Sequence, residues 1–366
     1  MKKMFFALAA PALVASALAT PVGAQDGTAA LSPNQIVDAA PREEWQAIAA
    51  DDLLVMTLTP DRDGDAREVV IQLMPEPFSQ GWIANIRTLA RAGWYDGVSV
   101  NRVQDNYVVQ WGDATEAKPL PDGLRVMEAQ EYLTSELLAI PDPRGRPRIN
   151  YTLGAIMVRN AMIAANGGIV VPDNFDEFIE ADPSEDIELP EPQIGDAYAP
   201  WATLAKGWPI ASDVDDEQGA SEGFWPVHCY GMVGVGRDYS PDTGSGAELY
   251  TVIGHAPRHL DRNIALVGRI VEGMEHLSSL PRGSGELGFY TEAEADKRTP
   301  IVSVRLASDL PEAERPAFEY LSTESQTFAQ YAEARANRRD PFFIVPAGGA
   351  DICNIPVPVR RVTMSE

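Results

Sequence analysis

Residues 94–113 read WYDGVSVNRVQDNYVVQWGD, two short apolar runs of strand character with Arg102 set inside the first and Gln110 inside the second. A guanidinium is a permanently charged, planar fork of donors. Fixed in a strand pair, it offers a permanent charge and directed donors to a site that needs no proton transfer and no nucleophile. Other chemistries lack their parts. His255 and His259 lie four apart, but Pro257 between them prevents the helix that would put both on one face, which argues against zinc. His228 beside Cys229 suggests a thiol catalyst, yet a cysteine entering a strand is more often structural. GMVGVGRD has no G-x-G-x-x-G order and no following helix to hold a phosphate. The aspartates of Asp61-Arg62-Asp63-Gly64-Asp65 resemble a calcium loop, but Gln72 stands where the bidentate glutamate is needed, so a hairpin turn is the better account. There is no Walker motif, no G-x-S-x-G elbow and no obvious carboxylate pair. No metal and no cofactor are expected.

The elements that must position Arg102 and Gln110 are mostly strands. Leu53–Leu58 and Val69–Leu73 flank the aspartate turn, and strand character returns at Cys229–Val235, Glu248–Ile253, Ile264–Ile270 and Ile301–Leu306. Between the first hairpin and the opening stretch, PFSQGWIANIRTLARAG places Phe78, Trp82, Ile86 and Leu89 three or four apart. That spacing predicts an amphipathic helix capped near Ser79 and stopped by Gly93. VEGMEHLSSL is a second, shorter helical candidate. From Ala114 to about Pro226 proline and acid clusters surround one helical stretch, YTLGAIMVRNAMIAANGG, and read as a long insertion, partly ordered. The tail holds a helix around SQTFAQYAEARANR and an extended ICNIPVPVRRV. Eight or so short strands with two intervening helices predict a mainly β barrel or sandwich.

Lys2 and Lys3, the apolar run from Met4 to Leu18, and small residues before a cut ahead of Gln25 have the pattern of a cleaved signal peptide. The run is broken by Pro11 and is short of the roughly twenty residues a bilayer-spanning helix needs. The formal net charge is −25, and loss of the two lysines makes the exported chain more acidic still. Such acidity excludes nucleic acid and anionic membrane as partners and fits a soluble surface. In an oxidising compartment the only two cysteines, Cys229 and Cys353, invite a disulfide closing a long loop; buried free thiols are the alternative.

Residues 94–113 resemble the cyclophilin peptidyl-prolyl isomerases, whose members carry YDG-x-x-F-H-R-V followed by G-F-M-x-Q-G-G-D. The shared positions are Tyr95-Asp96-Gly97, Arg102-Val103, Gln110, Gly112 and Asp113. GMVGVGRDYSPDTGSGAELYTVI is similar to the family's G-x-x-S-M-A-x segment and its G-S-Q-F-F-I strand, and HLDRNIALVGRIVEGM to its W-L-D-x-x-x-x-V-F-G-x-V-x-x-G-M ending. The ordered run covers about 50–113 and 229–307. It implies a closed eight-stranded cyclophilin-like barrel capped by two helices. Around it the chain divides into a signal peptide (1–24), a polar leader (25–49), a domain at 50–310 interrupted by the insertion 114–226, and a C-terminal extension at 311–366.

By resemblance, Arg102 is the catalytic guanidinium and Gln110 a second donor that positions the substrate carbonyl. Tyr107, Val108, Tyr250 and Leu260 form the proline pocket. Gly236, Arg237, Glu248 and His259 complete the substrate site. Several of these depart from the family pattern: Tyr107 and Tyr250 replace phenylalanines, Val108 a methionine, Glu248 a glutamine, Asn101 and Ile264 histidines, and Trp111 a glycine. The floor therefore gains two hydroxyls that need partners. A carboxylate at 248 close to Arg102 would pair with it. The implied activity is prolyl isomerisation on unfolded or extended segments in the bacterial periplasm by a monomer. A non-catalytic member whose pocket or insertion binds an envelope partner is the second reading, and an envelope hydrolase a third with only scattered histidines behind it.

Overall fold

A computed structural model of the chain describes residues 30–115, 117–134, 193–199, 201–213 and 223–362. Eight strands close into an antiparallel barrel: β1 Leu53–Leu58, β2 Arg67–Leu73, β3 Ser99–Val103, β4 Val108–Gly112, β5 Met232–Val235, β6 Leu249–Val252, β7 Leu266–Glu272 and β8 Thr299–Leu306. Their order around the barrel is β5-β6-β4-β3-β8-β1-β2-β7, with β7 returning to β5. All eight answer to strand expectations read from apolar runs, and the mainly β, closed-barrel expectation holds.

Side chains alternate across a strand, so each barrel strand sends one set inward and one outward. In β1, Leu54, Met56 and Leu58 enter the main core. Leu53 and Val55 face a second cluster with Val70, Ala307 and Phe318. Burial on both faces is why Leu53–Met56 reads as an unbroken apolar run.

The predicted helix spans Gln80–Arg91 and buries Trp82, Ile83, Ile86 and Leu89. Ser79 is its first flanking residue, but in the left-handed region at φ 54° it makes no side-chain cap. Its hydroxyl instead donates to the Leu266 carbonyl at 2.8 Å, tying the helix to β7. The second candidate forms a single turn, Glu275–Ser278. After the long helix the YDG turn is held by Asp96, which takes both Arg305 terminal nitrogens at 2.7 and 2.6 Å, while Gly97 adopts φ 80°.

Outside the barrel the structure goes beyond the sequence reading. The segment read as a polar leader contains a helix, Pro33–Asp38, and a strand, Trp45–Ala47. That strand pairs with Phe318–Leu321, which pairs with Val359–Arg361, so the two ends of the chain share a sheet that covers the outer face of β1. The tail helix is present at Gln326–Ala336.

Within 114–226, Trp201–Ala205, Trp208–Ser212 and Phe224–Pro226 form a three-stranded sheet. It sends Leu204, Trp208, Ile210, Phe224 and Trp225 into the main core. Pro209 and Pro226, with acidic neighbours, hid these strands from a reading by composition. Gln193–Gly195 pairs in parallel with Gly349–Asp351 of the tail. The helical candidate YTLGAIMVRNAMIAANGG lies outside the described residues.

Cys229 and Cys353 form the disulfide, across a sequence separation of 124. It fixes the tail beside the entry to β5. Replacing both with serine is expected to lower the unfolding free energy in urea by about 2 to 4 kcal/mol, because the open chain gains denatured-state freedom. Equal urea midpoints for the two proteins would contradict this.

Candidate functional site

The seam between β3, β4 and β6 gathers the candidate residues on the outer face of the barrel. In register, Arg102 lies opposite Gln110, Gln110 opposite Tyr250, and Val108 opposite Val252. The intervening residues Val109, Trp111 and Leu249 point into the main core. Strand alternation alone thus places Arg102, Val108, Gln110, Tyr250 and Val252 side by side on one outward surface.

The guanidinium of Arg102 is held at three points. Nε donates to the Leu287 carbonyl at 2.8 Å, Nη1 to Gln110 Oε1 at 3.1 Å and Nη2 to Gln104 Oε1 at 2.5 Å. It lies 5.7 Å from the centroid of the Tyr107 ring and 5.2 Å from that of Phe289. Three of its five N–H groups are thereby used. One on each terminal nitrogen has no protein partner among the described residues. Burial lowers the Arg102 pKa, opposed by Tyr107 and Tyr250, yet a guanidinium with so high an ordinary value stays charged.

Glu248 does not meet the guanidinium in the direct pairing considered from sequence: Gln110 stands between them. Its Oε1 accepts from Arg102, and its Nε2 donates to Glu248 Oε2 over a long 3.3 Å. The acid therefore orients the amide, which leaves its second N–H for another acceptor. Gly112 makes this possible, since a Cβ there would overlap the Glu248 carboxylate. The Gly236 N–H donates to the Glu248 carbonyl at 2.8 Å, and Arg237 donates to the carbonyls of Asn263 and Asp238. Both tie down the backbone at the margin of the seam.

Below Arg102, Val108, Tyr250 and Val252 form a buried apolar cluster separate from the main core, with Tyr107, Leu260 and Ile264 half-buried at its rim. The four residues expected in the pocket are brought together here. Both added hydroxyls have found histidines. Tyr107 Oη lies 3.3 Å from His259 Nε2, and the two rings stack at 6.0 Å. Tyr250 Oη lies 2.9 Å from His228 Nε2 with the rings nearly parallel. A Cβ at position 234 would overlap the Tyr250 hydroxyl, so Gly234 opens the space for that phenol. Burial pushes the Tyr250 phenol well above its ordinary pKa and raises that of Tyr107. Both remain neutral near pH 7 and present their rings as phenylalanines would.

The partner of Tyr250 opens a buried chain that the sequence reading missed. His228 Nδ1 lies 2.8 Å from Asp261 Oδ1, which also accepts the His228 backbone N–H at 3.0 Å. Asp261 Oδ2 takes Arg258 Nε at 2.6 Å, and Arg258 places its two terminal nitrogens on Asp196 at 2.7 and 2.5 Å. Burial raises the Asp261 pKa, but the bonds from His228 and the charge of Arg258 outweigh it and hold the carboxyl below its ordinary value. An ionised carboxylate only accepts, so His228 Nδ1 carries a proton toward Asp261, and the ring is fixed with Nε2 against the Tyr250 hydroxyl. The sequence singles out His228 only as the neighbour of Cys229, and nothing local marks Tyr250 or Asp261 as its partners.

The calcium-like turn is a plain hairpin connection: Asp61 Oδ1 accepts the N–H groups of Asp63 and Asp65 at 2.9 Å. Among the described residues no group of three or more His, Cys, Asp or Glu side chains is placed to hold a metal.

No family model and no curated protein matches the chain. Solved structures do. The crystal structure of cyclophilin AquaCyp293 from Hirschia baltica is 21% identical at a TM-score of 0.56, covering 89% of this chain and 99% of that one. A Cryptosporidium parvum cyclophilin-type peptidyl-prolyl cis-trans isomerase, crystallised in the presence of the dipeptide Ala-Pro, is 10% identical at a TM-score of 0.34, covering 71% of this chain and 98% of that one. The same protein in a second crystal structure gives 10% and 0.35, with 70% and 96% covered. The likeness to the Hirschia protein shows the fold, a cyclophilin-like barrel.

Proposed function

We propose that the protein is a peptidyl-prolyl cis-trans isomerase of the cyclophilin type, acting on X-Pro bonds of exported polypeptides in the bacterial periplasm. The observation that carries this reading is the Arg102 guanidinium, fixed at three points and edged by two aromatic rings, at the rim of the Val108–Tyr250–Leu260 cluster. An X-Pro bond exchanges in about 10 to 100 s because the amide must lose its resonance over a barrier of roughly 18 to 20 kcal/mol. The catalyst need only favour the twisted state. As resonance breaks, charge collects on the prolyl nitrogen, where an Arg102 N–H can donate. The spare N–H of Gln110 donates to the substrate carbonyl, and the apolar cluster grips the ring. Millisecond turnover requires about 10⁴-fold acceleration, or roughly 5.5 kcal/mol. One preorganised donor supplies about 2.7 to 4 kcal/mol, so Gln110 and the pocket must contribute the remainder.

The test is exchange spectroscopy on a short Ala-Pro-containing peptide with purified protein lacking residues 1–24. Cis-to-trans exchange is expected to accelerate in proportion to protein concentration. Exchange at the uncatalysed rate throughout would remove the proposal and favour a cyclophilin-like protein that binds an envelope partner.

A further inference from the structure

A second recess adjoins the proline pocket, and His259 belongs to both. On one side its ring stacks on Tyr107. On the other it lines a cleft of about 190 Å³ together with Tyr198, Trp225, Arg262 and Asn263. His259 separates the two recesses, so a peptide whose proline sits against Tyr107 and Leu260 can run past His259 toward this cleft.

Two residues lining the cleft carry donors that make no hydrogen bond or ion pair among the described residues. Trp225 is 2% exposed, and its indole N–H is buried with no hydrogen-bond acceptor. A buried donor left unmade is costly and is relieved by an incoming acceptor. The Arg262 guanidinium lies 4.6 Å from the centroid of the Trp225 ring and forms no ion pair among the described residues. The other charges lining the cleft are occupied: Asp261 by His228 and Arg258, and Arg258 by Asp261 and Asp196. The charge left to meet a ligand is therefore positive, in a chain whose net charge is −25.

We infer that this cleft is a substrate subsite for an acidic side chain close to the proline, its carboxylate accepting from the Trp225 indole N–H and from Arg262. The inference rests on the isomerase reading for what the peptide is, and on the cleft for its sequence preference. The interaction is charge-assisted and half-exposed, so the expected effect is about five- to tenfold in kcat/KM.

The experiment compares peptides identical except for Glu or Gln at the positions flanking the X-Pro pair, by exchange spectroscopy and by calorimetric titration. The wild type is expected to favour one glutamate peptide over its glutamine twin by about five- to tenfold. Arg262→Asn, chosen because asparagine tolerates the φ of 64° found there, should bring that ratio to about one. Trp225→Phe, which keeps a ring and removes the N–H, should reduce it. A wild-type ratio of one, or a ratio that survives in Arg262→Asn, overturns the inference. If neither peptide is isomerised at all, the isomerase reading fails. The titration then still decides the cleft: tighter glutamate binding lost in Arg262→Asn supports it, and equal binding overturns it.

Discussion

Arg102→Ala is expected to lower kcat/KM for a prolyl peptide by about 10²- to 10³-fold, the cost of removing one preorganised donor from a partly desolvated site. The loss should fall mainly on kcat, since the bond to the prolyl nitrogen strengthens only as the amide twists. The side chain lies on the outer face of the barrel and is half-buried, so its removal leaves the main core intact. Unchanged near-ultraviolet circular dichroism would confirm that. Arg102→Lys should recover little. One ammonium cannot make the three divergent bonds to Leu287, Gln104 and Gln110 and still present a donor to the substrate. A variant within about twofold of wild type would assign the acceleration to the pocket alone and leave Arg102 a structural residue.

That the site is legible at all in the sequence follows from strand geometry. Arg102 and Gln110 stand at ladder positions, and the alternation of Val108, Gln110 and Val252 with Val109, Trp111 and Leu249 fixes which face each occupies. The barrel strands were legible because each is a short apolar run between turn residues. What holds Arg102 was not. The Leu287 carbonyl and the Phe289 ring come from a loop more than 180 residues away, with nothing local to mark them. The same is true of the chain Tyr250, His228, Asp261, Arg258 and Asp196, whose members acquire meaning only when folding buries them together. Glu248 shows the limit from the other side. Its sign suggested a direct pair with Arg102, but only the register reveals Gln110 between them. The sheet formed by the chain ends and the sheet at 201–226 escaped for a related reason. Their strands are three to five residues long, too short for a period to show, and their stability comes from what they cover.

Asp261→Asn is expected to destabilise the protein by about 3 kcal/mol in urea unfolding, near the lower end of what breaking a buried ion pair costs. The value is not larger because Asp196 remains on the far side of Arg258 to compensate its charge. The substitution changes no shape, but it puts an amide where a carboxylate accepts three donors: the His228 backbone N–H, His228 Nδ1 and Arg258 Nε. The pH dependence has a definite sign. The folded-state pKa of Asp261 is depressed below its ordinary 3.8, so its contribution is complete above that value and is lost as the pH falls through the folded pKa. The gap between wild type and Asp261→Asn should therefore be full at neutral pH and narrow below 3.8. A gap that stays constant down to acid pH would mean that the lost stability comes from packing and not from the charge. The same variant links stability to the pocket. The single amide oxygen of the variant cannot serve both His228 and Arg258, so the imidazole loses the bond that orients it, and the Tyr250 ring loses the partner that holds it against Gly234. Activity on a prolyl peptide should fall severalfold at temperatures where the variant is still folded. Tyr250→Phe, which needs no such bond to keep its ring in the cluster, should retain activity in the same assay, and a loss in both would make the hydroxyl itself part of the chemistry.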